Sequence, residues 1–207
     1  MPDPIKKLQE LFSEFPTIGR RTAGRFVYYL LKLPKEKTDE LIKAIQELKN
    51  KIRFCIFCFN PHETQDQLCQ ICQNQSREKD VLCIVEKEND LISIENTKKY
   101  NGLYFILGGA LNLRRNNSEN LRTNLLVERI KDPGKFGLKS DNFSEIIIAT
   151  NPTPEGRSTS VLIERTIKEK LPTLNLKITH LAIGLPFGGE IEYADDETME
   201  SAFEGRK

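Results

Sequence analysis

The chain has 207 residues, 38% of them hydrophobic and 29% charged, which describes a globular protein with a polar surface and one or two domains. No apolar run approaches the ~18 residues of a membrane span, the opening ten residues hold no apolar leader segment, and five Cys are too few and the wrong parity for a disulfide scaffold. A net charge of +1 hides an asymmetry: residues 1–54 carry twelve Lys/Arg against seven Asp/Glu, and residues 187–207 carry two against seven. Such ends suit a polyanion on one side and a protein partner on the other, and equally an ordinary solvated surface.

The predicted elements begin with a helix capped by Asp3, with Pro4 at its first position. Ile5, Leu8, Leu11 and Phe12 recur along it at helical spacing. Pro16 stops it, a short turn follows, and a second helix spans 20–31 with Ala23, Phe26, Val27, Leu30 and Leu31 on its apolar face. A third helix starts near Thr38 and carries Leu41, Ile42, Ile45 and Leu48. From 53 to 79 the periodicity vanishes, so something other than its own core must order that stretch. Continuous apolar runs at 81–85, 103–107 and 145–149 then read as strands buried on both faces, with a looser fourth at 176–183. Helices near 90–97, 121–130 and 158–170 separate them, and a polar insert fills 112–120. Strands alternating with helices imply a parallel, doubly covered sheet. The fold class is therefore α+β multidomain, with boundaries at 1–54, 55–72 (within 53–80), 81–184 and an acidic segment at 185–207.

Cys55-x2-Cys58 and Cys69-x2-Cys72 are two CxxC pairs ten residues apart. Each CxxC turn offers two thiolates, and two turns close a tetrahedral Zn²⁺ site with no open position for water. One structural zinc per chain is expected. A redox dithiol is the other reading of a CxxC, but one pair would serve it. With four thiolates filling the shell, His62 is expected in solvent and Cys83 reads as a small hydrophobe in a strand.

The stretch 15–25 places a tight turn before a helix N-terminus, where free amides can hold a phosphate oxygen. Arg21 and Arg25, four apart, share one face and suit gripping successive phosphates without reading bases. This resembles a helix-hairpin-helix DNA-binding element, with Thr17 where the first hairpin glycine is usual. The turn alone also fits a plain helical hairpin with a solvated basic face.

Glu86 ends the first strand of the sheet, where open α/β sheets place ligands. With the loop at 150–156, it resembles a Toprim domain. Catalytic Toprim enzymes hold Mg²⁺ with a strand-end glutamate and an Asp-x-Asp pair. Here the matching residues are Ala149-Thr150-Asn151, without a carboxylate, and a hard cation needs anionic oxygens. No catalytic residue is assigned. A Mg²⁺-dependent Toprim nuclease or primase-like enzyme is the alternative, and a zinc ribbon that binds only proteins is a third reading.

Taken together, the hairpin, the CxxC-x10-CxxC and the carboxylate-poor Toprim loop closely resemble the RecR family of bacterial recombination mediators. Gly108-Gly109-Ala110-Leu111 and the 184–189 glycine motif leading to Glu192-Tyr193-Ala194-Asp195 carry the match further. Arg21 stands where the family usually shows lysine, and Arg157 where it often shows an acid. The resemblance implies a non-catalytic, cytoplasmic and nucleoid-associated DNA clamp, a ring-like tetramer with the hairpins lining its hole. It further implies that RecO, and in many bacteria RecF, act with it to load RecA on gapped DNA. By the same analogy Arg21 and Arg25 bind DNA, and Glu155 and Glu86 face a RecO-like partner.

Overall fold

The computed structural model describes residues 2–112, 121–140, 142–185 and 187–206. The polar insert, beyond Asn112, and Pro186 of the glycine motif lie outside them. No described helix is long and apolar enough to cross a membrane. The chain forms two compact units, Met1–Ile52 and Arg53–Lys207.

The first unit is three helices: α1 (Asp3–Ser13), α2 (Arg20–Lys32) and α3 (Lys35–Lys51). Asp3 is the first helical residue rather than the cap, which falls on Pro2 without a side-chain bond. The third helix starts three residues earlier than its apolar pattern suggests. Pro34 caps it, and its carbonyl accepts from the Lys37 and Thr38 amides at 3.1 and 3.2 Å. A proline before a helix needs no N–H of its own there, so the start is set by backbone geometry and not by hydrophobic spacing. Helices α1 and α2 pack together, with Ala23 and Val27 buried and Phe12 edge-on to Phe26 at 5.9 Å. Leu41, Ile42, Ile45 and Leu48 of α3 stay exposed.

The second unit opens with a short antiparallel pair, β1 (Arg53–Phe54) and β2 (Pro61–His62), and a one-turn helix α4 (Gln70–Gln73). There follow β3 (Val81–Val85), α5 (Glu88–Asn96), β4 (Leu103–Ile106), α6 (Thr123–Lys131), β5 (Glu145–Ala149), α7 (Pro154–Lys170), β6 (Lys177–His180) and α8 (Asp196–Glu204). Strands β4-β3-β5-β6 form one wholly parallel sheet in that order. Its alternate residues feed two cores. Leu82, Ile84, Phe105, Ile146 and Ile148 pack on one side with Ile130 of α6 and Ile163 and Ile167 of α7. Cys83, Val85, Tyr104 and Ile106 pack on the other with Leu91 of α5.

Two expectations change here. The Cys-rich stretch has support beyond a metal, because Phe57 is fully buried in the same apolar cluster as the sheet. The Ile106 amide donates to the Cys58 carbonyl at 3.0 Å, and the Phe59 ring meets Phe105 edge-on. The segment borrows the core of its neighbour, which a scan for internal periodicity does not detect. His62 is buried, not solvated: it sits in β2 with Nδ1 2.7 Å from Thr64 Oγ1.

Candidate nucleic-acid interface and metal centre

Six residues join α1 to α2. The turn closes with the Ile18 amide donating to the Phe15 carbonyl at 3.1 Å, and Thr17 takes φ +66°. That left-handed conformation is the one glycine adopts freely and a β-branched residue resists, at roughly 1–2 kcal/mol. Thr17→Gly is therefore expected to stabilise the first unit by about 0.5–1 kcal/mol, part of the relief being offset by glycine's larger unfolded-state entropy. Denaturant unfolding reads this directly, and a destabilised variant would show that the hydroxyl, which donates to the Pro16 carbonyl, matters more than the strain.

Gly19 caps α2 without a side-chain bond, leaving the first-turn amides without helical acceptors, and the space above Gly19 is open. Arg20, Arg21 and Arg25 are exposed around that entrance. None of their guanidinium groups has a salt-bridge partner among the described residues. Like charges held together without counter-charges make a site for an anion brought from outside. The same groove, about 460 Å³, is also lined by Tyr28, Tyr29 and Lys32. The sequence reading missed these three, although their spacing of seven, eight and eleven from Arg21 puts them on its helix face.

In the second unit the sulfurs of Cys55, Cys58, Cys69 and Cys72 all lie within 4.8 Å of one another and are buried. The Cys58 and Cys69 sulfurs are 3.5 Å apart. Four sulfurs each about 2.3 Å from one ion in a tetrahedron sit about 3.8 Å apart, so the donor set fits a metal. Without a cation the four cannot all ionise. Hydrogen bonding to its neighbours pulls the Cys55 thiol down, while the same neighbours and burial push Cys58 and Cys72 up. Two cations grip the knuckles from outside the sulfur shell. Arg129 donates to the Phe57 and Ile56 carbonyls at 3.3 and 3.0 Å, its guanidinium lying over the Phe59 and Phe136 rings. Lys79 donates to the Cys72 carbonyl at 2.9 Å. These sit where a dianionic tetrathiolate centre would need positive charge, and nothing in their local sequence marks them.

At the carboxyl end of the sheet, Glu86 follows β3 and is only 4% exposed. Its two oxygens accept from the Asn151 amide N–H and from Asn151 Nδ2, both at 2.8 Å. So the residue standing where a metal-binding Asp would stand instead supplies N–H donors to the glutamate's oxygens. Glu86 is thus buried with both oxygens bonded from within, and of the two glutamates expected to face a partner it is Glu155 that lies exposed. Gly156 makes the lock possible, since a Cβ there would fall 2.0 Å from the Asn151 carbonyl and 2.8 Å from Glu86 Oε1. Thr153 caps α7 by accepting from the Gly156 amide, which starts that helix four residues before its apolar pattern does. Glu155, in the first turn, is exposed. Arg157 pairs with Glu197 of α8, linking the start of α7 to the acidic C-terminal segment.

Comparison with known families agrees with this anatomy. Residues 5–49 match the family described as RecR, helix-hairpin-helix; residues 80–182 match the Toprim domain; and residues 184–207 match RecR, C-terminal. Those matches define a protein with a helix-hairpin-helix unit and a Toprim domain. Recombination protein RecR of Clostridium perfringens is 37% identical over 206 residues, covering 99% of this chain and 96% of its own length. The Dehalococcoides mccartyi protein of the same name is 39% identical over 204 residues, covering 98% and 93%. That of Endomicrobium trichonymphae is 38% identical over 207, covering 100% and 98%. The chain belongs to the RecR family.

Proposed function

We propose that this protein is a DNA clamp and recombination mediator that breaks no bonds itself, acting with RecO-like and RecF-like partners to place RecA on gapped DNA. The observation that carries the reading is the pairing of an open, uncompensated arginine entrance on α2 with a Toprim acid already satisfied by Asn151. One binds phosphate. The other lacks the carboxylates a hard cation needs. In this reading Arg21 and Arg25 hold the phosphate chain, the metal at Cys55, Cys58, Cys69 and Cys72 is a structural zinc, and exposed Glu155 meets the RecO-like partner. A ring tetramer is favoured by two uncovered apolar surfaces: the α3 row Leu41, Ile42, Ile45 and Leu48, and the C-terminal side chains Phe187, Ile191, Tyr193 and Phe203. Apolar patches of that kind mark protein interfaces.

The test is DNA affinity against salt. Phosphate contacts release counterions, so log K should fall linearly with log salt. Arg21→Glu with Arg25→Glu should weaken binding at least tenfold at ~0.1 M salt and reduce the slope by about two. Unchanged binding by the double variant would remove the assignment. Mg²⁺-dependent DNA cleavage abolished by Glu86→Gln would replace it with the enzyme reading.

A further inference from the structure

We infer that Tyr28 and Tyr29 form a stacking platform for unpaired bases, so that the α2 groove takes single-stranded DNA in preference to duplex. The inference deepens the proposed phosphate-binding role of Arg21 and Arg25 and rests on it.

The placement of the two rings carries the argument. A helix advances about 100° per residue, so Arg21, Arg25, Tyr28, Tyr29 and Lys32 fall within one stripe roughly 100° wide. Ala23 and Val27, the buried positions of α2, lie on the opposite side. The tyrosines are therefore not overflow from the core face. Tyr28 is 51% and Tyr29 63% exposed, and neither ring has an aromatic, cation–π or hydrogen-bonded neighbour among the described residues. They share their groove with Arg20, Arg21, Arg25 and Lys32.

Charge selects the occupant. A groove with four cations and no acid repels a basic surface and desolvates poorly against a purely apolar one. It favours a ligand that is anionic along one edge and flat and π-faced along the other. An unpaired nucleotide strand has both. Base–aromatic stacking is tolerant of sequence and adds to the phosphate contacts, and a tyrosine loses only two side-chain torsions when it orders. In a duplex the bases are already stacked on each other, so the rings gain nothing there while the arginines still bind phosphate.

The experiment measures the full chain against three probes of equal phosphate number: oligo-dT, an abasic single strand and a duplex. Tyr28→Ala with Tyr29→Ala should weaken oligo-dT binding at least tenfold, leave the duplex within about twofold and keep the salt slope. Oligo-dT should lose its advantage over the abasic strand. Tyr28→Phe with Tyr29→Phe should restore it, because the ring and not the hydroxyl stacks. With five Tyr and no Trp in the chain, oligo-dT should also quench tyrosine emission in the wild type and do so less in the alanine variant. Equal losses on all three probes, no loss on oligo-dT, or displacement of labelled oligo-dT by polyglutamate of matched charge as effectively as by unlabelled oligo-dT would each overturn the platform. Failure of the underlying reading is distinguishable: Arg21→Glu with Arg25→Glu would then bind all three probes as the wild type does.

Discussion

Removing the metal is expected to unfold the second unit, with a larger effect than any single substitution outside the cysteines. Structural zinc centres contribute roughly 10–16 kcal/mol of apparent binding free energy at neutral pH, and a whole domain has a net stability of about 5–15 kcal/mol. The margin left to the metal-free unit is thin. What then holds the knuckles to the sheet is the packing of Phe57 and Phe59 and the grip of Arg129 on two knuckle carbonyls. Without the ion, Arg129 and Lys79 face thiols in place of a dianion, and part of their stabilising effect is lost as well. Metal analysis should return one ion per chain. A strong chelator should lower the thermal midpoint by tens of degrees, and Cys55→Ser or Cys69→Ser should yield aggregated protein. Acid acts in the same direction. Cys58 and Cys72 hold their protons firmly in the metal-free cluster, so each must be displaced for the ion to bind, and affinity should fall as the pH drops from 7 to 5. A chelated protein with an unchanged midpoint would show that the borrowed core is sufficient and the metal incidental.

The legible parts of this molecule were those in which one local rule dominates. Three of the four sheet strands were visible as apolar runs because a parallel sheet covered on both faces tolerates little else, the edge strand β6, exposed or half-buried throughout, showed only as a looser pattern, and the thiolate centre was visible because CxxC spacing encodes its own geometry. Helix starts were less visible. The apolar stripe begins where packing begins, whereas Pro34 and Thr153 begin their helices by hydrogen bonding, three and four residues earlier. Burial that depends on distant chain was not visible at all. His62 looked like a loop residue until β1 paired with β2 across it. Phe57, in the stretch without periodicity, is buried with the Phe143 ring tilted against it at 6.2 Å. Glu86 carries the clearest lesson. Its place at a strand end was readable, but whether it points outward or is satisfied within depends on Asn151, 65 residues further along. The sequence showed that Asn151 was not an acid; only the fold shows what it does instead.

Asn151→Asp should expose that role. The substitution replaces an N–H donor 2.8 Å from Glu86 Oε2 with a second carboxylate oxygen, in a place where Glu86 is almost wholly removed from water. Breaking a partly buried charged hydrogen bond and adding a like charge costs about 3 kcal/mol, which for a chain of this size lowers the thermal midpoint by roughly 6–12 °C. The deficit should depend on pH in a fixed sense. Two adjacent carboxyls, one of them almost wholly buried, favour the state in which one keeps a proton, so lowering the pH towards 4 narrows the gap to the wild type and raising it widens the gap. Millimolar Mg²⁺ should also restore the midpoint of the variant, since two carboxylates now face each other where a Toprim cation would sit, and it should leave the wild type unmoved. The control is Asn151→Ala, which loses the donor without adding the charge: it should be less destabilised and indifferent to Mg²⁺. A neutral Asn151→Asp would mean that the backbone N–H alone holds Glu86. Mg²⁺ stabilisation of the wild type at the same concentration would mean that Glu86 is available to a cation after all, and the enzyme reading would then have to be taken up in earnest.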